Sequence, residues 1–350
     1  MKLSRCGCGG VDVHAHVVPE HFPNLPGLSA LPGWPSTAIA PEQAGLCHRH
    51  VMISGKQYRT ISEKCWSTPR RLADLPDMGL SHQVISPMPE LLSYWLEASH
   101  AQVLVRYLNE QTAAMVAESS GALSGLAAVP LQDIDLAIAE LRHVTQALGL
   151  VGVELGSNVN GVPIGDPRFL PFFEACEALD VPVFVHALRP TGMDRLVGPA
   201  PLQQVLAYPT DVGLAAASVI TSNLMLACPQ LRMAFSHGGG TLAMLLPRLQ
   251  QGWQVFPALR DQVQQAPIEQ ARRLFFDTLV FDEPTLKHLL STFGTDSLMV
   301  GTDYPFNFHD RTPVERINAL GLSDADASAL LRGNAERFLG RRFTHRGDKT

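Results

Sequence analysis

Charge is what this chain has least of. Only 17% of its 350 residues are Asp, Glu, Lys or Arg, and 33 acidic against 27 basic residues leave a net charge of −6. Without a basic excess, nucleic acid and anionic membrane surfaces are poor candidates for partners. Low charge beside 46% hydrophobic residues also argues against disorder and for a large buried core. Cysteine is sparse: six residues, in no disulfide-framework spacing, which points to a reducing, cytoplasmic setting. The pair Cys6-x-Cys8 has no second pair to complete a metal site and reads as part of an N-terminal segment. The opening residues lack the apolar stretch of a secretory signal. The longest apolar run, 213–227, is interrupted by Ser218, Thr221, Ser222 and Asn223 and is too short to span a bilayer, so it reads as a buried helix. Also missing are a Walker-type loop and a complete G-x-G-x-x-G signature. The string His237-Gly238-Gly239-Gly240 looks like a lipase oxyanion motif, but no G-x-S-x-G nucleophile elbow accompanies it.

What is present begins at Gly10-Val11-Asp12-Val13-His14-Ala15-His16, a short Val-rich stretch that reads as a first strand. Side chains alternate in a strand, so His14 and His16 point the same way, one pleat apart. Alone, the pair is either half a metal site or two core-edge histidines. A Pro- and Gly-rich insertion follows, over about 17–67. Inside it, Leu46–Ile53 and 57–62 flank Ser54-Gly55-Lys56 as a small β-hairpin. Cys47, His48 and His50 lie on that hairpin without the partner set that a zinc knuckle needs.

Beyond the insertion the chain becomes regular. Strands are expected at 81–88, 125–131, 152–156, 181–187, 231–237, 274–278 and 297–303. Helices are expected between them, at 93–120, 133–149, 167–180 (capped by Asp166), 213–227, 241–256 and from Pro284. Eight strands alternating with helices specify a parallel sheet, and their number specifies a closed (β/α)8 TIM barrel with a β-hairpin insertion after its first strand. The expected domain is a single unit over 1–340, with a polar tail over 341–350.

Barrel enzymes place their chemistry at the C-terminal ends of the strands. Here those ends carry His14 and His16 on strand one, His186 on strand five, His237 on strand six and Asp303 on strand eight. Polar groups closing apolar strands cost burial energy unless they are paired or metal-bound, so five of them together point to a metal centre.

The set Asp12-Val13-His14-Ala15-His16, Val183-Phe184-Val185-His186, Phe235-Ser236-His237-Gly238-Gly239-Gly240 and Gly301-Thr302-Asp303-Tyr304-Pro305-Phe306 resembles the amidohydrolase superfamily. The likeness is to its branch of muconate-semialdehyde and aromatic-acid decarboxylases, and Val129-Pro130-Leu131-Gln132-Asp133 fits that branch as well. The resemblance implies that His14, His16, His186 and Asp303 ligate one divalent metal, a donor set that suits zinc. It implies that His237 stays off the metal as general acid–base, with Asp303 assisting. It implies a small carboxylate substrate held by Arg59 and Arg248, the second reaching across a homodimer interface, with Phe306 in the pocket. Binuclear superfamily members carry a bridging lysine on strand four. Here that strand reads Gly152-Val-Glu154-Leu-Gly156, which implies one metal and leaves the direction of Glu154 open.

After His186 the chain departs from that branch: Ala187-Leu188-Arg189-Pro190 replaces a Pro-Trp-Asp run, and Arg189 becomes a further candidate for a substrate carboxylate. The implied reaction is non-oxidative decarboxylation, without a redox cofactor. The alternative within the superfamily is hydrolysis of a lactone or amide, or hydration of a double bond. A non-catalytic binding protein would be expected to have lost some of these ligands, and all are present.

Overall fold

The computed structural model describes residues 9–343, so Cys6, Cys8 and the 344–350 part of the expected tail lie outside the described residues. The first strand, β1 (Gly10–Val17), is buried at all eight positions, as expected of a strand covered on both faces. Three strands of the insertion follow: β2 (Pro35–Gln43), β3 (Leu46–Ile53) and β4 (Lys56–Ser62). The chain continues with β5 (Leu80–Pro87), β6 (Leu123–Ala127), β7 (Gly152–Gly156), the short pair β8 (Asn158–Val159) and β9 (Val162–Pro163), β10 (Val183–His186), β11 (Met233–Phe235), β12 (Phe275–Asp277) and β13 (Leu298–Met299).

Eight of these form one parallel sheet in the order β1-β5-β6-β7-β10-β11-β12-β13. The sheet closes on itself. Val13 N donates to Val300 O (2.9 Å), Asp303 N to His14 O (2.8 Å) and His16 N to Tyr304 O (2.7 Å). The (β/α)8 barrel is therefore present, with the order of strands that the sequence implies. The last strand is shorter than the expected 297–303 because the chain leaves extended geometry before the rim, where Asp303 takes φ 62°.

Helices cover the outside of the barrel. The helix expected over 93–120 starts later and runs over Ala98–Glu118, and a short turn (Pro89–Leu92) lies before the expected stretch. Glu97 caps that helix by accepting from the backbone of Ser99 and His100. The main core lies between strands and helices, around Val153, Val183, Val185, Phe172 and Phe235. A second cluster, with Val11, Val13, Leu126 and Met299, reaches the site through Phe184, whose ring lies 5.2 Å from that of His14.

The insertion hairpin is present and carries a third antiparallel strand, β2. This strand escapes the sequence because seven of its nine positions are not buried and it starts at a proline, which only the first residue or an edge tolerates. Without a buried face there is no alternation to see. Val51 and Ile61 of this sheet pack with Val18, Met88, Leu91 and Phe306, which fixes β4 over the barrel mouth. Cys47 is exposed, and His48 and His50 bond to Leu46 O and Thr60 Oγ1 rather than to one another.

Candidate metal centre and active site

Among the described residues, His14, His16, His186 and Asp303 form the one group able to hold a metal ion, with ligand atoms all within 4.8 Å of one another. His14 Nε2 and His16 Nε2 are 3.1 Å apart, and Asp303 Oδ1 lies 3.7 Å from the first and 3.2 Å from the second. The outer nitrogens are held elsewhere. His14 Nδ1 donates to Asp277 Oδ2 (2.7 Å), and His186 Nδ1 donates to Ala187 O (2.8 Å). His16 Nδ1 has Ser86 Oγ at 3.3 Å and Glu154 Oε2 at 3.8 Å. A proton fixed on Nδ1 leaves a lone pair on Nε2, which is how outer partners prepare imidazole ligands.

The residues fit a cation. Two Nε2 lone pairs facing each other repel unless positive charge lies between them, and the buried His186 Nε2 has no hydrogen-bond partner. Burial lowers His14 to about 3 and holds His16 and His186 well below the usual imidazole value, so all three are neutral ligands at pH 7.

His237 stands beside this group and outside it. Its ring lies 4.9 Å from that of His186 and 5.4 Å from that of His14, and its Nδ1 is 3.0 Å from Ser236 Oγ. Burial, then the neighbouring His186 and His14, lowers it to about 3. The three glycines after it have a physical reason. His237, Gly238, Gly239 and Gly240 all take positive φ (54°, 64°, 74° and 59°), a run that side chains rarely permit.

Two buried carboxylates that the sequence analysis left without a role hold this arrangement. Asp277 ends β12. Its Oδ2 accepts from His14 Nδ1 and from His237 N (3.0 Å), and its Oδ1 from Gly238 N (2.8 Å) and Leu279 N (3.0 Å). One carboxylate thus orients a metal ligand and the His237 turn together. Gly301 makes room for it, since a Cβ there would sit 2.6 Å from Asp277 Cβ. The signal was available: an acid closing the apolar Phe275-Phe276, as Asp303 closes its own strand. Asp12 ties β1 to the last strand, accepting from His14 N (3.0 Å), Thr302 N (3.1 Å), Thr302 Oγ1 (2.7 Å) and Gln83 Nε2 (2.8 Å). The fully buried Arg71 braces it through Gln83 Oε1 (2.7 Å). Glu154 is fully buried beside His16, with no hydrogen bond to either carboxylate oxygen. Burial raises its pKa well above the carboxylate range.

A cavity of about 280 Å³ opens in front of these groups, lined by His16, His186, His237, Asp303, Arg59 and Phe306 among others. It leads outward to a groove of about 1060 Å³. Arg59, on β4, lies 4.1 Å over the Phe306 ring, which in turn stacks at 5.5 Å on His16. The structure therefore brings Arg59 and Phe306 to the site. Arg189 lies outside the lining. Its guanidinium is 2.9 Å from Glu90 Oε1 and 3.2 Å over the Trp95 ring. Arg248 is exposed on the helix Leu242–Val255 and lines neither space.

The amidohydrolase family profile matches residues 11–341. A curated relative, the 2-amino-3-carboxymuconate-6-semialdehyde decarboxylase of Dictyostelium discoideum, is 34% identical over 332 residues, covering 94% of this chain and 91% of its own. The solved IDCase of Metarhizium anisopliae superposes with a TM-score of 0.80 at 22% identity, over 95% of this chain and 97% of its own. A dihydroxybenzoic acid decarboxylase from Polaromonas sp. JS666, solved with bound manganese and the inhibitor 2-nitroresorcinol, has a TM-score of 0.72 at 20% identity, over 95% and 97%.

Proposed function

Since the chain belongs to the amidohydrolase family, we propose that it is a metal-dependent, non-oxidative decarboxylase of a small unsaturated or aromatic carboxylic acid. The observation that carries this reading is that three of the four residues of the metal-binding group line one cavity together with His237 and Arg59. The decarboxylase relative that matches across nearly the whole chain supports it.

His14, His16, His186 and Asp303 hold one divalent ion, which we assign as zinc from the donor set, although the Polaromonas enzyme was solved with manganese. When bound, such an ion supplies Lewis acidity and positive charge at the inner end of the cavity. Arg59 holds a substrate carboxylate through its planar fork, and Phe306 gives a flat unsaturated substrate a ring to lie against. Loss of CO2 leaves an electron pair on the substrate carbon, and a proton must reach that carbon. His237 is neutral, and with Nδ1 at Ser236 its Nε2 is free to take a proton from solvent water and deliver it to that carbon, leaving hydroxide to the solvent. Asp303 lines the same cavity, where its second oxygen assists.

The full enzyme in this reading is a cytoplasmic homodimer. Met244 and Leu245 are 72% and 43% exposed on the helix that carries Arg248. An apolar face of that kind favours a partner, and a second copy would bring Arg248 to its neighbour's groove. The four described cysteines are free thiols, and no described helix is long and apolar enough to cross a membrane. Sedimentation velocity tests the dimer, and elemental analysis of the purified protein tests the zinc.

The reaction is tested by mass spectrometry of zinc-loaded protein with carboxylated aromatics, muconate semialdehydes and lactones. We expect a product that has lost CO2, formed at least ~100-fold more slowly by His237→Ala. A product that has gained water would overturn decarboxylation and move the same site to hydrolysis or hydration.

A further inference from the structure

Glu90 is a carboxyl group in the cavity wall that neither the metal set nor the proton transfer uses. It sits in the short turn Pro89–Leu92 after β5 and is only 9% exposed. Its Oε1 accepts from both Nε (3.2 Å) and an Nη (2.9 Å) of Arg189. Its Oε2 accepts no hydrogen bond from any described residue, and the side chain lines the inner cavity. The pair is anchored from outside by the stacking of Arg189 on Trp95, so the carboxylate cannot simply swing out to water. Among the described residues that line this cavity, Arg59 is the one Lys or Arg, and Glu90 and Asp303 are the two carboxylates. Asp303 belongs to the metal group, which leaves Glu90 as the acidic counterpart of Arg59.

The second oxygen of this carboxyl group faces the cavity with an open acceptor site, which a donor on a bound acid can fill, and a hydrogen bond to a carboxylate is among the stronger ones. We propose that Glu90 is a specificity-determining residue: it selects acids that carry a hydroxyl or amino hydrogen-bond donor in addition to the carboxylate held by Arg59, and it rejects acids with a second carboxylate in the donor's place. This rests on the reading of the cavity as the carboxylate site. It extends that reading from any small acid to one that carries a hydrogen-bond donor beside its carboxylate.

The test is equilibrium binding by calorimetry, independent of turnover, on the protein with its purified metal content. The probes are benzoate, the meta and para isomers of hydroxybenzoate and aminobenzoate, isophthalate and terephthalate. At least one donor-bearing isomer should bind about tenfold or more tighter than benzoate, and both dicarboxylates more weakly. Glu90→Leu should remove both preferences. The near-isosteric Glu90→Gln, whose fold is checked by its melting curve, should keep part of the donor preference and lose the dicarboxylate penalty. Arg59→Met separates the two layers of the argument. If it weakens every acid while both Glu90 variants keep the wild-type ratios, the inference is overturned and the carboxylate site stands. If Arg59→Met leaves benzoate binding unchanged, or no acid binds the wild type, the carboxylate site falls and the inference with it.

Discussion

Both ends of the barrel contain deeply buried histidines, and the contrast between them shows what marks a site. At the N-terminal end of β5, His82 has both ring nitrogens engaged: Nδ1 donates to Gly121 O (3.2 Å) and Nε2 meets Ser124 Oγ (3.0 Å). Its ring packs at 3.9 Å on Phe343. At the C-terminal rim, His14, His16 and His186 are no more buried in kind, yet each is held from its outer nitrogen only. Their inner nitrogens converge, and one has no partner. Two rim residues, Asp303 and His237, also sit in left-handed backbone, a conformation that persists only where surroundings enforce it. Burial and a lowered pKa are common to both ends. Leftover hydrogen-bonding capacity, aimed at one point, distinguishes the rim, in keeping with the separation of stability and function between the two faces of this fold.

The contrast breaks most visibly at a ligand. His186→Ala should leave less than one metal per chain after gel filtration, measured by elemental analysis. That loss should exceed the ~10–100-fold weakening expected when a partner one shell further out is changed. The fold should survive, since the alanine also removes the buried nitrogen that has no partner.

Asp277→Asn should come next. Asp277 receives four donors, and an amide can accept with one end only. If the amide nitrogen faces His14, the imidazole must accept at Nδ1 and carry its proton on Nε2, where a metal ligand needs a lone pair. If it faces the turn, it opposes the backbone N–H groups of Gly238 and Leu279. Either way metal affinity should drop by about 10–100-fold, read by competition with a chelator. Asp277→Glu should not restore it, because the longer side chain cannot keep both oxygens in place. An unchanged affinity would mean that His14 does not depend on this carboxylate for its tautomer.

The difference between the ends also explains what could be read in the chain itself. The barrel is legible because each of its strands is a short apolar run and each ends at punctuation. The four ligands are legible because they interrupt those runs at the rim. Glu154 and Asp277 show the limit. Both close or occupy apolar strands, but whether a side chain faces the metal, the back of a ligand or a turn depends on strand register and on the twist of the closed sheet. Arg189 shows another. Its position after His186 is evident in sequence, but its capture by Glu90, ninety-nine residues earlier, depends on two rim loops meeting in space. Strand β2, without a buried face, leaves no periodicity at all.

The smallest effect is expected at the opposite end, and it sharpens the comparison because it should appear in stability and not in catalysis. Burial lowers His82 to about 4 in the folded chain, against about 6.5 in an unfolded one. The folded state therefore binds the proton more weakly. The stability that follows from this is fully present above about pH 6.5 and is lost as pH falls through that value toward about 4. Its size is on the order of 3 kcal/mol at most. His82→Gln should flatten the decline of urea-unfolding stability between pH 6.5 and 4 relative to the wild type, with turnover at pH 7 unchanged. A variant whose stability falls with the wild-type slope would show that His82 is not buried as a neutral group. A variant that loses turnover at pH 7 while keeping its fold would show that the two ends of the barrel are coupled.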